Sequence, residues 1–265
     1  MGDRGRSAAR PPGRATTTLD VGLGVREVLA GPATGQVVSV HRVAAYLRFP
    51  AGLIALTSGL APSGPLHLRV AVLPGLHVGE RVVVEGPALS GPTWSRSLDA
   101  PTWTGSLPPH PPAGGRTPGR GVRALRDLAA RLGGRGPGLT PEGDDVLAGA
   151  LLATRAVAGP SVEPELREIA ASVRTTEVAA AFLAWAARGQ CIAPAHDRLT
   201  ATDDHARRSA ERRLRAIGAS SGAALLRGLR WGLRWGSGQA SGTDNQIALL
   251  GSAPEFDQLC GRSVG

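Results

Sequence analysis

Apolar and polar positions keep a short, strand-like beat through the first part of the chain and a helical one through the second. Gln36 to Arg48, Leu53 to Thr57, Leu66 to Val70 and Arg81 to Glu85 are brief β-prone runs, set apart by Gly/Pro turns at 62–65 and 74–75. They predict a small antiparallel β-rich region. From Val122 the beat lengthens: Val122, Leu125, Leu128, Ala129 and Leu132 mark one helix face, stopped by Gly133-Gly134. Helices are likewise predicted from Asp144 to Val157, Glu163 to Val173, Thr176 to Ala187, His205 to Ile217 and Ser221 to Trp235, with Gly189, Gly218 and Gly236 where stops belong. Between Gly86 and Arg120 the chain is loaded with Pro, Gly, Ser and Trp, which predicts an irregular connector. The expectation is an α+β fold, a β-rich N-terminal region packed on a larger helical C-terminal region. Its boundaries are a disordered leader over 1–18, the β region over 19–115, the helical region over 120–251 and a tail over 252–265.

The most unusual stretch opens the second predicted helix. Gly134-Arg135-Gly136-Pro137-Gly138-Leu139-Thr140-Pro141-Glu142-Gly143-Asp144-Asp145 runs into apolar Val146 to Leu152, which contains Gly149. Thr140 is a good N-cap and Pro141 suits the first helical position. Glycines at 134, 136, 138 and 143 suit a tight loop or a close approach to a ligand. Such a helix start attracts anions through its unpaired amides and the dipole, yet Asp144 and Asp145 already bring negative charge there. A phosphate would need Arg135 or a divalent cation such as magnesium between it and the aspartates. The pair can instead accept hydrogen bonds from an amide or amino group. Their plainest role is to complement the dipole and cap the helix.

Composition narrows the classes. The formal charge of +9 and the pI near 11.3 look like a nucleic-acid signature, but all 30 basic residues are arginine. A complete lack of lysine beside so much Ala, Gly and Pro points to compositional bias rather than to selection for phosphate contacts. In the densest run, Arg207 to Arg215, Ala206, Ala210, Leu214 and Ile217 fall at helical spacing, so it reads as the solvated face of an amphipathic helix without interleaved aromatics. Nucleic acid is an unfavoured partner. Cys191 and Cys260 form no metal or disulfide framework, and neither an apolar span nor a signal-peptide core is evident. A cytoplasmic protein with no membrane association is expected. His41, His67 and His77 lie apart in the β region and are expected at surface or half-buried positions.

Two more helix starts resemble the first in carrying small and hydroxyl residues: Thr175-Thr176-Glu177 before Val178 to Trp185, and Gly218-Ala219-Ser220-Ser221-Gly222 before Ala223 to Leu229. Each is explained singly by N-capping; together they are candidates for one pocket. In order and spacing the three motifs resemble a domain-of-unknown-function family that includes the AllH-type subunit of oxamate carbamoyltransferase, an enzyme of anaerobic allantoin breakdown and thus purine degradation.

The resemblance implies a transferase subunit working with partner subunits on a small carbamoyl, carboxylate or phosphate-bearing metabolite. Asp144 and Asp145 are then the catalytic candidates, binding an amide nitrogen or magnesium. Arg135, Gly136, Gly138, Thr140, Thr175, Thr176, Ser220 and Ser221 are the substrate-binding candidates. The chain departs from the pattern at Glu142 and Ala179, where Ser is usual, at Ala219, where His is usual, and at Ala224, where Asp is usual. These losses keep open an alternative, a non-catalytic binding or scaffold subunit.

Overall fold

The computed structural model describes residues 17–107 and 118–236. Most of the expected leader, the expected tail and residues 237–251 lie outside them. The architecture is α+β, a strand-rich N-terminal part followed by a helical C-terminal part.

The chain up to Gly105, together with Gln190–Ala193, forms one compact unit. Its strands are β1 (Thr18–Gly22), β2 (Ala33–Val40), β3 (Ala44–Phe49), β4 (Gly52–Ser58), β5 (His67–Val70), β6 (Arg81–Glu85), β7 (Ala88–Ser90), β8 (Ser95–Ser97) and β9 (Thr102–Trp103), with α1 (Leu23–Val28) after β1. They form a single nine-stranded sheet in the order β8-β7-β6-β2-β3-β4-β5-β1-β9. Most neighbours are antiparallel, but β4 pairs with β5, and β1 with β9, in parallel. The expected antiparallel β-rich region is thus present, with two parallel pairs within it. Burial explains the sequence pattern: β3 alternates and is half-buried, whereas Leu53 to Thr57 of β4 are buried throughout and read as a continuous apolar run.

The connector expected to be irregular contributes β7, β8 and β9 to this sheet. Its Trp94 and Leu98 join the apolar core with Leu47, Ile54, Leu56 and Leu68. Polar ties hold it in place: Arg26 donates to the carbonyls of Leu98 and Ala100 at 2.6 Å each, and the Trp94 indole donates to Glu80 at 2.8 Å. His67 is buried, against expectation. Its Nδ1 lies 2.8 Å from the Pro62 carbonyl, which can only accept, so that nitrogen carries the proton; burial lowers the pKa of the ring. The detour Gln190–Ala193 is tied in by its backbone: Cys191 N–H donates to Gly105 O (3.1 Å), Ala193 N–H to Ser63 O (2.8 Å), and the Trp103 indole to Cys191 O (3.0 Å).

The helical unit holds α2 (Pro118–Leu132), α3 (Glu142–Ala158), α4 (Glu163–Ser172), α5 (Glu177–Ala187), α6 (Ala193–Thr200, of which Ala193 belongs to the first unit), α7 (Asp204–Arg215) and α8 (Ser221–Gly236). α3 is its buried axis, with Val146 to Thr154 all inside. It packs backbone to backbone on α8. A Cβ on Gly149 would lie 2.1 Å from the Leu225 carbonyl oxygen, and one on Gly228 would lie 1.9 Å from that of Val146. Missing side chains, rather than large ones, set this contact. On α7, Ala210 and Leu214 face inward, and the basic outer face is partly neutralised: Arg207 pairs with Asp204, and Arg213 with Asp197. Glu211 sits between Arg198 (2.8 Å) and Arg230 (2.5 Å); burial works against its charge, yet the two guanidinium groups hold its carboxyl below the usual range. Among the described residues no helix is long and apolar enough to cross a membrane.

Candidate functional site

The glycine loop doubles back on the start of α3. Arg135 N–H donates to Leu132 O at 3.0 Å, and its own carbonyl accepts from Gly143 N–H at 2.9 Å. Gly134 has φ +69°, and a Cβ there would lie 2.4 Å from the Arg174 carbonyl, so only glycine fits between α2 and the segment before α5. Its N–H donates to Asp144 Oδ1 at 2.8 Å, and the Thr175 hydroxyl donates to Asp144 Oδ2. Asp144 is 2% exposed. Both its oxygens are thus consumed in joining three segments of the chain.

The helix begins at Glu142, one residue later than a Thr140 cap implies and two earlier than the apolar periodicity from Asp144 does. Pro141 takes the N-cap position and its carbonyl accepts from the N–H groups of Asp144 (2.9 Å) and Asp145 (3.2 Å). Thr140, freed from capping, instead lies with its hydroxyl 3.3 Å from that of Ser221 at the start of α8. Thr176 does cap α5, accepting from Ala179 N–H at 3.1 Å, and it also donates to the Leu139 carbonyl in the loop. The starts of α3, α5 and α8 therefore meet.

Several expected residues stay outside this cluster. Arg135 is exposed and turned back on α2, its Nε donating to Arg131 O at 2.6 Å. Gly136 and Gly138, with φ +117° and +92°, are exposed on the loop, and Ser220 is exposed. Arg227, not among the expected residues, joins the cluster: it forms an ion pair with Glu142 in the first turn of α3. No spacing on α8 relates Arg227 to Ser221, so the sequence carried no signal for it.

Electrostatically the first turn of α3 holds three carboxylates in different states. Glu142 is paired with a cation, and Asp144 is satisfied by neutral donors. Burial pushes the Asp145 carboxyl up to about 7; a hydrogen bond from Ser221 opposes the shift, while the charges of Asp144 and Glu142 add to it. Asp145 Oδ2 is buried and has no hydrogen-bond partner. Such a group exchanges a proton near neutrality, and its spare oxygen can receive an N–H donor. Among the described residues no three His, Cys, Asp or Glu side chains gather as a metal-holding group, and the committed oxygens of Asp144 do not suit a cation. An open groove of about 660 Å³ lies elsewhere, along α4, lined by Pro160, Glu163, Pro164, Arg167, Glu168 and Ala171, and shares no residue with the cluster.

Residues 132–233, from the end of α2 into the last turns of α8, match the family model described as oxamate carbamoyltransferase subunit AllH. That stretch includes every residue of the cluster. No curated protein and no solved structure matches the chain.

Proposed function

We propose that the chain is a subunit of an oxamate carbamoyltransferase-type system and that its helical unit holds a small carbamoyl- or amide-bearing ligand where α3, α5 and α8 begin. The family match over residues 132–233 supports the system. The observation that carries the site is the meeting of Thr140 with Ser221 and of Asp144 with Thr175. In this reading the spare Asp145 oxygen receives the ligand's amide N–H, the Thr140 hydroxyl donates to its acyl oxygen, and Ser221 keeps its single proton on Asp145. Asp144 is a positioning residue that keeps the glycine loop against α5.

Oxalurate and phosphate are the reactants in the catabolic direction. A phosphate oxygen bonds to the carbamoyl carbon, the carbon–nitrogen bond to the oxamate portion breaks, and the departing nitrogen needs a proton. Protonated Asp145 supplies it. The buried Cys191 thiol fits a reducing, cytoplasmic setting. A scaffold role has one observation in its favour, the saturation of Asp144 by the fold itself.

A thermal-shift titration separates the two. Oxamate, oxalurate and carbamoyl phosphate are added in turn, with and without magnesium, to the wild-type chain and to Asp145→Asn. Ligand at about 100 times its Kd adds about 2.7 kcal/mol, a rise of several degrees in melting temperature. A rise in the wild type that is lost in the variant supports the site; no rise with any ligand leaves the scaffold reading.

A further inference from the structure

Glu142, in the first turn of α3, and Arg227, on α8, form an incomplete ion pair. A carboxylate grips a guanidinium best through two parallel N–H···O bonds. Here only Nη2 of Arg227 reaches Glu142, through Oε1, while Nε is buried and has no acceptor. Both side chains keep partial access to solvent, at 32% for Arg227 and 29% for Glu142. Glu142 also adds to the negative field at Asp145, which lies three residues further along α3 and has an oxygen to spare. The glycine loop closes over the same point, where a Cβ on Gly136 would lie 2.8 Å from Glu142 N.

We propose that Arg227 selects the acid group of a ligand at this site and that Glu142 is its competitor, held within the same chain. The inference rests on the reading that a small ligand binds where the helices begin. A ligand bearing both an amide and a carboxylate meets complementary groups there, its amide toward Asp145 and its carboxylate toward the Nε–Nη2 edge of Arg227. Glu142 must yield that edge before the carboxylate can take both bonds. A neutral diamide has no such competition to win, because it does not need the cation.

Calorimetric titration with oxamate, which carries one amide and one carboxylate, and with oxamide, its neutral diamide analogue, tests this. Glu142→Gln is expected to tighten oxamate about tenfold and to leave oxamide within twofold. Arg227→Gln is expected to weaken oxamate about tenfold, again sparing oxamide. Circular dichroism melts of both variants check that each is folded, and Glu142→Gln alone suffices should Arg227→Gln unfold. An oxamate-to-oxamide affinity ratio unchanged in Glu142→Gln, or weaker oxamate binding in it, overturns the inference while the site reading stands. Binding of neither compound to the wild type or to either variant overturns the site reading and the inference with it.

Discussion

The two halves of α3 are built on opposite principles. From Val146 to Ala153 the helix is apolar, and at Gly149 and Gly228 it lies against α8 with no side chain between the two backbones. Its first turn is crowded with carboxylates, each handled differently: Glu142 by a cation, Asp144 by neutral donors, Asp145 by too few partners. The close seam leaves little freedom in how α8 lies along α3, and that placement brings Ser221 and Arg227 to the acidic turn. Packing in one half supplies the precision on which the chemistry of the other depends.

The strongest way to break this relation is through the seam. Gly228→Val puts a branched side chain where even a Cβ would meet the Val146 carbonyl at 1.9 Å. It should cost about 4 kcal/mol or more and abolish a cooperative helical melt, followed by circular dichroism. A variant that melts like the wild type would show that α3 and α8 can part without penalty.

Asp144→Ala acts on the acidic turn alone. It strands the Gly134 N–H and the Thr175 hydroxyl, for an expected loss of about 3 kcal/mol in urea denaturation. A loss near zero would mean that the carboxylate is not what holds the loop.

The finest probe is Asp145→Asn, read against pH. The folded-state pKa of about 7 lies above the ordinary value of 3.8, so the folded protein binds more protons than the unfolded chain between those values. The contribution of Asp145 to stability is therefore greatest at low pH and declines as pH rises toward and through 7. Asn, which carries no charge, should match the wild type near pH 4 and exceed it at pH 8 by on the order of 4 kcal/mol. Parallel stability curves for the two proteins would refute the raised pKa.

The helical half was largely legible in the chain because its apolar positions recur over long segments, and predicted boundaries agree with α4, α5, α7 and α8 to within a residue or two at each end. α6 escaped notice, being a short helix with Pro194 near its start and little apolar periodicity. In the sheet, β2 and β3 were merged because nothing between Val40 and Ala44 resembles a glycine or proline turn. β7 to β9 are two or three residues each, too short for alternation to register, and parallel pairing is settled by contacts distant in sequence. Within the site, the residue types at the three helix starts were readable. Which aspartate is saturated and which is not depends on donors from Gly134, Thr175 and Ser221, and spacing cannot express that.

The detour at Gln190–Ala193 bears on how this chain can be divided. A fragment starting at α2 would contain the whole stretch that matches the family model, and would look from its sequence like an independent domain. It would nevertheless carry Cys191 and Ala193 without Gly105 and Ser63, the acceptors of their backbone N–H groups, and without the Trp103 indole that donates to the Cys191 carbonyl. No single cut yields both units whole. Recombination, gene splitting or fragment expression at that boundary would trade two intact pieces for two incomplete ones, so the chain is expected to be inherited and produced as one.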